Sequence, residues 1–133
     1  MGMDLTLYPF SCWDTYSRDW NEGKQFHFLG FDRLNFSRQY HIFSQINEEV
    51  MGPNKLPAVC KPKPLPTTVR FSNYEDEGLK ERKTDPYGSP LTYVTAGELS
   101  KVKPRKETGD WNKAILTFIS SLPAEMPVLL WWH

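Results

Sequence analysis

The pattern of apolar and polar positions near the start of the chain predicts short strands. Polar and apolar residues alternate over residues 4–8, which is typical of a half-buried strand, and Pro9 ends it. The segment 26–36 also carries apolar residues at alternate positions, but Gly30 and Asp32 interrupt this face. We therefore expect one bent strand or two short strands there.

Two later segments have the spacing of amphipathic helices. Ser37 is placed to cap the first, which ends at 51–53 and has apolar residues three or four positions apart: Tyr40, Phe43, Ile46 and Val50. The second follows 108–110, a favourable N-cap neighbourhood, and ends at Pro123. Its predicted apolar stripe consists of Trp111, Ala114, Ile115, Phe118, Ile119 and Leu122.

The C-terminal run 128–132 is apolar on both parities, which a strand tolerates when both faces are covered or one face meets a partner. We place it at the centre of the sheet, beside the first strand. Strands are also predicted at 67–71 and 91–94, and Thr95 and Glu98 have the spacing of a capping box that begins a short helix. The predicted fold class is α+β: a single two-layer sandwich with two main helices packed on one face of a mixed or antiparallel sheet.

Two segments are predicted to lie outside the core elements. Five prolines between residues 52 and 67 exclude a helix or a central strand, so we expect an extended proline-rich arm. Residues 74–89 mix acids and bases without apolar periodicity, which indicates a charged surface loop. With 133 residues in total, the chain is expected to form one domain over 1–133.

Composition and charge narrow the class of protein. Aromatic residues make up 14% of the chain, which favours a folded domain over a disordered one. Lys plus Arg and Asp plus Glu both number 16, so net charge favours neither nucleic acid nor a membrane as partner. No signal sequence is visible, and the longest apolar run is far shorter than the roughly 20 residues of a membrane span, so we expect a cytoplasmic protein.

The cysteines and histidines do not predict a metal or a cofactor. Cys12 and Cys60 lack the close neighbours of a zinc site, and we expect both as reduced thiols. The chain has three histidines, His27, His41 and His133, and no two of them have the spacing of metal ligands. Structural roles are favoured for them, and the alternative is an acid–base pair of His41 with Asp85 or Asp32.

The segment 85–90 carries the strongest local signal in the chain. Pro86 and Gly88 favour a tight turn, and Asp85 is placed to accept backbone N–H groups that follow it. A structural turn is the favoured interpretation. The functional hypothesis is that the turn presents Tyr87 as a binding anchor, since a large ring held at low entropic cost is typical of binding hot spots.

Further candidates come from loops. A polar loop carries three rings that either cover the core or line a recognition surface: Trp13, Tyr16 and Trp20. A basic stretch follows the short helix, although nearby acids weaken its field: Lys101, Lys103 and Arg105. A competing hypothesis places a polar cleft at four other residues: Arg33, Arg38, His41 and Arg70.

Four segments carry a resemblance that spans most of the chain: DLTLYPF, RLNFSRQYHIF, DPYGSPLTYVTAGEL and SLPAEMPVLLWWH. Together they are similar to a family of small uncharacterised proteins encoded in phage and prophage genomes. The resemblance implies a setting in a bacterial host cell and no particular activity. Genes of that setting often encode accessory factors, including inhibitors of host defence, which favours a protein-binding role by analogy.

We therefore predict a non-enzymatic accessory protein that binds a host or phage protein, in its sharpest form an inhibitor of a host defence system. One alternative is a small-molecule or nucleotide-binding protein, or a hydrolase, built on the polar cleft. The other is a homodimeric structural component joined through the C-terminal strand. A concave polar pocket favours the first alternative, and a shallow convex surface favours protein binding.

Overall fold

The structure, a computed structural model, describes residues 3–11, 13, 26–28, 33–65, 69–71 and 80–133. Its strands are β1 Leu5–Pro9, β2 Phe26–Phe28, β3 Leu34–Asn35, β4 Lys63–Pro64, β5 Val69–Phe71, β6 Lys80–Arg82, β7 Thr92–Thr95 and β8 Pro127–Trp132. Its helices are α1 Tyr40–Ile46, α2 Ala96–Leu99 and α3 Asp110–Ser120. Within these ranges no helix is long and apolar enough to cross a membrane.

An antiparallel five-stranded sheet, in the order β3-β1-β8-β7-β4, forms the centre of the molecule. The C-terminal strand β8 lies between β1 and β7, with Leu5 opposite Trp132 and Val94 opposite Val128. Every residue of β8 is buried. The prediction of an α+β fold is confirmed, and the strand predicted to be central is central.

The two longer helices cover the same face of this sheet. The ring of Trp132 meets the ring of Phe43 in α1 edge-on, with 5.8 Å between their centroids. Pro9 is paired with Val128, which has the same parity in β8 as Trp132, so Pro9 is on that face as well. Because Pro9 lines a cavity together with Phe118 of α3, this helix also packs there.

A second, smaller sheet that was not predicted meets the opposite face at Trp131. The guanidinium of Arg82, in β6, lies 5.7 Å from the ring centroid of Trp131. This sheet has the order β2-β5-β6, with β2 and β5 parallel. β6 lies within the segment 74–89 that was expected to be a loop. Strands of three residues are too short to show a period in the sequence, which is why this one was missed.

Helix α1 differs from its prediction at both ends. It begins at Tyr40, after an N-cap at Gln39 that makes no side-chain cap bond, so the predicted cap at Ser37 is wrong. The backbone of Ser37 instead bonds the side chain of Asn112. The Ser37 N–H donates to Asn112 Oδ1 at 2.9 Å, and the Ser37 carbonyl accepts from Asn112 Nδ2 at 2.9 Å. The helix ends at Ile46, and Val50 is buried beyond it.

Helix α3 buries a different face from the predicted one. Its buried residues are Asn112, Ile115, Leu116 and Ile119. Trp111 and Phe118, which were predicted to be in the stripe, are 63% and 51% exposed, and Ala114 is also exposed. The prediction is right for Ile115 and Ile119 and wrong for these three.

Polar bonds account for the orientation of α3. The Asn112 amide donates to the Ser37 carbonyl at 2.9 Å and to Gln39 Oε1 at 2.7 Å, so this polar residue is satisfied while it is buried. Trp111 Nε1 donates to the Asn35 carbonyl at 2.7 Å, on the outer edge of the sheet. The helix is therefore turned so that an amide points inward and a tryptophan protects an edge strand.

The short helix α2 has the capping box that was predicted. Thr95 Oγ1 accepts the N–H of Glu98 at 3.2 Å, and Glu98 Oε1 accepts the N–H of Thr95 at 3.4 Å, so the capping box of α2 is present. Within the proline-rich arm, Lys63–Pro64 pairs only at the edge of the sheet, where the missing N–H of a proline is tolerated.

Gln45 joins α1 to segments remote in sequence. It is 3% exposed. Its side chain donates to the carbonyls of His41 and Lys103 at 2.9 and 3.0 Å, and accepts the N–H of Lys103 at 2.9 Å. Its own carbonyl accepts the N–H groups of Val59 and Cys60. Every polar atom of this buried amide thus has a partner.

Replacing Gln45 with leucine should destabilise the fold strongly. Gln45→Leu keeps the volume but leaves the backbone N–H and C=O of Lys103 without their partners, at about 1–3 kcal/mol for each group that stays buried. We expect the free energy of unfolding in urea to fall by about 2–4 kcal/mol, against at most about 0.5 kcal/mol for the exposed control Glu48→Gln. A loss below about 1 kcal/mol for Gln45→Leu would contradict the structural role given to this amide.

Candidate functional site at the Tyr87 turn

A half-open cavity of about 400 Å³ lies beside the turn that carries Tyr87. Three segments that are distant in sequence build its walls, together with a residue before β1. The lining residues are Met3, Asn47, Glu49, Val50, Asp85, Tyr87, Ser89, Pro90, Thr92 and Trp132. We call this cavity the Tyr87 pocket.

The turn itself is held by Asp85. Its Oδ1 accepts the backbone N–H groups of Tyr87 and Ser89, at 2.9 and 3.1 Å. The N–H of Gly88 donates to the Asp85 carbonyl at 2.9 Å, and Gly88 has φ of 85°, a conformation that glycine adopts without strain. Asp85 is buried, whereas Tyr87 is 49% exposed. These bonds therefore fix the backbone of Tyr87, while its side chain stays half-exposed.

A second wall comes from the chain directly after α1. Asn47 Oδ1 accepts the N–H of Glu49 at 3.0 Å, and the Asn47 carbonyl accepts the N–H of Val50 at 3.1 Å. Val50 is buried by this turn, while Glu49 remains exposed. The turn places an apolar side chain and a carboxylate on the same wall of the pocket.

Trp132 contributes from the end of β8. The residue is 5% exposed, and its ring is fixed against Phe43. Among the described residues nothing accepts a hydrogen bond from its Nε1, although this atom is buried. A buried donor without an acceptor costs about 1–3 kcal/mol.

The charged residues that line the Tyr87 pocket are acidic within the described part of the chain. Glu49 and Asp85 supply carboxylates, and no Lys, Arg or His is among the described residues that line it. Arg38 lies near Tyr87 but is bound to Asp4, with N–O distances of 3.0 and 2.8 Å. This pairing lowers the pKa of Asp4 and raises the pKa of Arg38. The nearby cation is therefore held by a carboxylate outside the pocket.

Of the predicted binding residues that the structure describes, two line this pocket, Asp85 and Tyr87. Trp13 is half-buried and packs edge-on against Phe10 at 6.3 Å, so it covers the core. Tyr16 and Trp20 lie outside the described residues. The predicted basic residues are exposed outside this pocket: Lys101, Lys103 and Arg105. Arg105 forms an ion pair with Glu107, with 3.0 Å between Nε and Oε1.

The described residues of the hypothetical polar cleft lie in different surroundings. Arg33 lines a separate cavity with Phe118 and Leu122. Arg38 is bound to Asp4, and His41 is buried. For Arg70 only the backbone, in β5, is described.

His41 has a structural environment. Its Nε2 is 2.7 Å from Thr108 Oγ1, which also accepts the N–H of Arg105 at 2.8 Å. Burial lowers the pKa of His41. The charge of Glu107 opposes this shift, and the charge of Arg105 adds to it. Of the two carboxylates proposed as its partner, Asp85 belongs to the Tyr87 turn, and Asp32 lies outside the described residues.

A second imidazole lies near a hydroxyl, in an arrangement that sequence reasoning missed. Thr6 Oγ1 donates to Asn35 Oδ1 at 2.5 Å and is 2.9 Å from His133 Nε2. Since the single hydroxyl proton goes to Asn35, the imidazole donates to Thr6 and does not act as its base. Thr6 is also buried, so this group reads as a structural bond network.

Metal binding receives no support from the residues that the structure describes. They contain no group of three His, Cys, Asp or Glu side chains suited to hold an ion. Cys60 is buried, and burial raises the pKa of its thiol to about 12. At neutral pH this thiol is protonated, which makes it a poor ligand and nucleophile.

Comparison with protein-family models, curated proteins and solved structures gives no match to this chain. The resemblance to the phage-encoded family therefore stays an expectation.

The stability of the protein should fall on mild acidification because of His41. Its pKa in the folded state lies below the ordinary 6.5, so below that pH the unfolded chain binds a proton that the folded protein resists. We expect the free energy of unfolding, measured in urea from about pH 7.5 to about pH 5.5, to fall less steeply in His41→Gln than in the wild type. The exposed control Thr117→Ala, which removes no titrating group, should keep the wild-type slope, and equal slopes in all three proteins would contradict this role of His41.

Proposed function

We propose that this protein acts by binding another protein at the Tyr87 turn, without a catalytic step. The observation that carries the proposal is a half-exposed tyrosine on a turn fixed by Asp85, beside a pocket of about 400 Å³. A tyrosine on a fixed backbone offers a large contact area at little entropic cost. The pocket next to it is suited to receive a side chain of the partner.

The groups that would support catalysis have other roles. His41 is buried and bonds Thr108, and the hydroxyl of Thr6 donates its hydrogen bond to Asn35. A hydrolase built on either would first have to break a buried hydrogen bond. Binding of a nucleotide at the Tyr87 pocket is also disfavoured, since Glu49 and Asp85 repel phosphate groups.

The homodimer hypothesis was based on the two apolar faces of the C-terminal strand. It required an uncovered face of the C-terminal strand, but Trp131 and Trp132 are 7% and 5% exposed within a single chain. The oligomeric state itself stays a prediction.

The narrower form of the proposal concerns the identity of the partner. The resemblance to phage and prophage proteins supports a host protein in the bacterial cytoplasm, with a component of a defence system as its sharpest form. Inhibition would then follow from occupying a surface that the defence protein needs.

Loss of the Tyr87 ring should remove the partner. We would capture proteins from a lysate of the bacterium that carries the gene, using tagged wild type, Tyr87→Ala and Phe118→Ala. Phe118 is a matched control, because it is a similarly exposed ring (51% against 49%) outside the pocket. We expect one partner, confirmed with the purified protein, to bind Tyr87→Ala at least about 30-fold more weakly, as for a hot-spot residue.

The same experiment has two outcomes that contradict the proposal. A partner kept by Tyr87→Ala and lost by Phe118→Ala would move the interface to α3. No specific partner for the wild type in any growth state would overturn protein binding. Circular dichroism of each variant separates loss of binding from loss of folding.

A further inference from the structure

We infer that the protein binds the phosphate backbone of a double-stranded nucleic acid along a basic surface outside the Tyr87 pocket. Two segments that are distant in sequence form this surface, which we call the basic stripe. Its six basic residues are all exposed: Lys61, Lys63, Lys101, Lys103, Arg105 and Lys106. None of them is among the residues that line the Tyr87 pocket, so the inference goes beyond the proposed function and does not depend on it.

Gln45 brings the two segments of the basic stripe together. Its buried side chain bonds both the N–H and the C=O of Lys103, at 2.9 and 3.0 Å, while its own carbonyl accepts the N–H of Cys60 at 3.1 Å. Lys61 follows Cys60 directly in the chain. The charge of Lys101 also acts on the Cys60 thiol, where it opposes the rise of the pKa that burial causes. The two segments therefore lie side by side.

The positive charge of the basic stripe is not balanced by the acids bonded to it. Glu98 belongs to the capping box of α2 and accepts the N–H of Lys61 at 3.1 Å, and Glu107 forms an ion pair with Arg105. Among the described residues the five lysines of the stripe have no ion-pair partner. The chain as a whole has no net charge, so its composition conceals a local excess of positive charge.

The backbone that carries these charges is held in place. Lysine precedes proline three times in the stripe: Lys61-Pro62, Lys63-Pro64 and Lys103-Pro104. A residue before proline is restricted to extended backbone, and proline itself has a fixed φ. In addition, Lys63 pairs with Tyr93 at the edge of the sheet, and Lys103 is bonded by Gln45. The lysines therefore project from a backbone that loses little entropy when an extended polyanion binds.

The composition of the stripe favours phosphate groups over a protein or a membrane. Protein interfaces are enriched in aromatic residues and depleted of lysine, whereas the stripe has five lysines and no aromatic residue. Attachment to a membrane surface also requires apolar side chains that enter the lipid, but the residues between the lysines are prolines, Arg105 and the buried Val102. Lysines contact phosphates by charge alone, which is the sequence-independent part of nucleic-acid binding.

The lack of aromatic residues also selects a duplex over a single strand. Proteins that hold single strands combine a positive groove with rings on which the bases stack. In a duplex the bases are already stacked on one another and the phosphates face outward, so a row of lysines suffices to bind it.

The test measures how the whole protein binds a fluorescein-labelled DNA duplex over a series of NaCl concentrations, by fluorescence anisotropy. An RNA duplex of the same sequence is titrated in parallel, and binding of either duplex supports the inference while the tighter one identifies the nucleic acid. Each phosphate contact contributes about −0.9 to the slope of the logarithm of the binding constant against the logarithm of the salt concentration. We expect a slope of about −4 to −5, as for contacts by most of the six basic residues, and equal affinity for a duplex of unrelated sequence.

One lysine from each segment tests whether both segments take part. Lys61→Gln and Lys103→Gln each remove one charge and keep the backbone groups that hold the segments together. Each should weaken binding to duplexes of any sequence and reduce the steepness of the salt slope by about 1. Lys55→Gln is the matched control, because Lys55 is an exposed lysine outside the stripe whose ammonium group bonds the Glu48 carbonyl. It should leave the affinity and the slope unchanged, and circular dichroism checks the folding of every variant.

Three results would overturn the inference. The first is that the wild type binds neither duplex saturably at low salt. The second is that Lys61→Gln or Lys103→Gln binds as the control Lys55→Gln does. The third is equal or tighter binding of another polyanion: polyglutamate would indicate an acidic protein, a single strand would indicate unpaired nucleic acid, and vesicles containing phosphatidylserine would indicate a membrane.

Discussion

The burial of helix α1 is the constraint on which the rest of this structure depends. A helix of seven residues is not stable alone, and six residues of this one are buried. Its apolar side meets the sheet where Phe43 contacts Trp132. Its polar side chains form hydrogen bonds with the backbone of loops: Ser44 accepts the N–H of Leu56 at 2.9 Å, and Gln45 bonds the backbone of Lys103. The loops that cover α1 are thus ordered by hydrogen bonds to it rather than by elements of their own.

The same helix determines where the Tyr87 pocket forms. Because α1 ends at Ile46, the turn that follows is available to become a wall, where Glu49 and Val50 meet the end of β8. The Asp85 turn then closes the third side. No two of these segments are neighbours in the chain, and each is fixed by its own local bonds, so the pocket exists only once the whole domain has folded.

Features that depend on local chemistry were predictable from the sequence, and those that depend on packing were not. The two-sided apolar run placed β8 at the centre, and the spacing of Thr95 and Glu98 gave the capping box of α2. In α3 the apolar spacing predicted a face that includes Trp111 and Phe118, whereas the face that is buried includes Asn112, whose hydrogen bonds satisfy it there. At the site, the Asp85 turn had a local signature, but Glu49 looked like an ordinary surface acid and Trp132 like a core residue. Their convergence at one cavity is visible only in the folded structure.

Trp132 is a buried residue of the core that also lines the Tyr87 pocket. Phenylalanine would fill much of the same place against Phe43 without leaving a buried N–H that lacks an acceptor among the described residues. Holding that donor costs about 1–3 kcal/mol, which is a large share of the stability of a small domain. The indole of Trp111, on the exposed face of α3, carries no such cost, because it donates to the Asn35 carbonyl and protects the edge strand of the sheet.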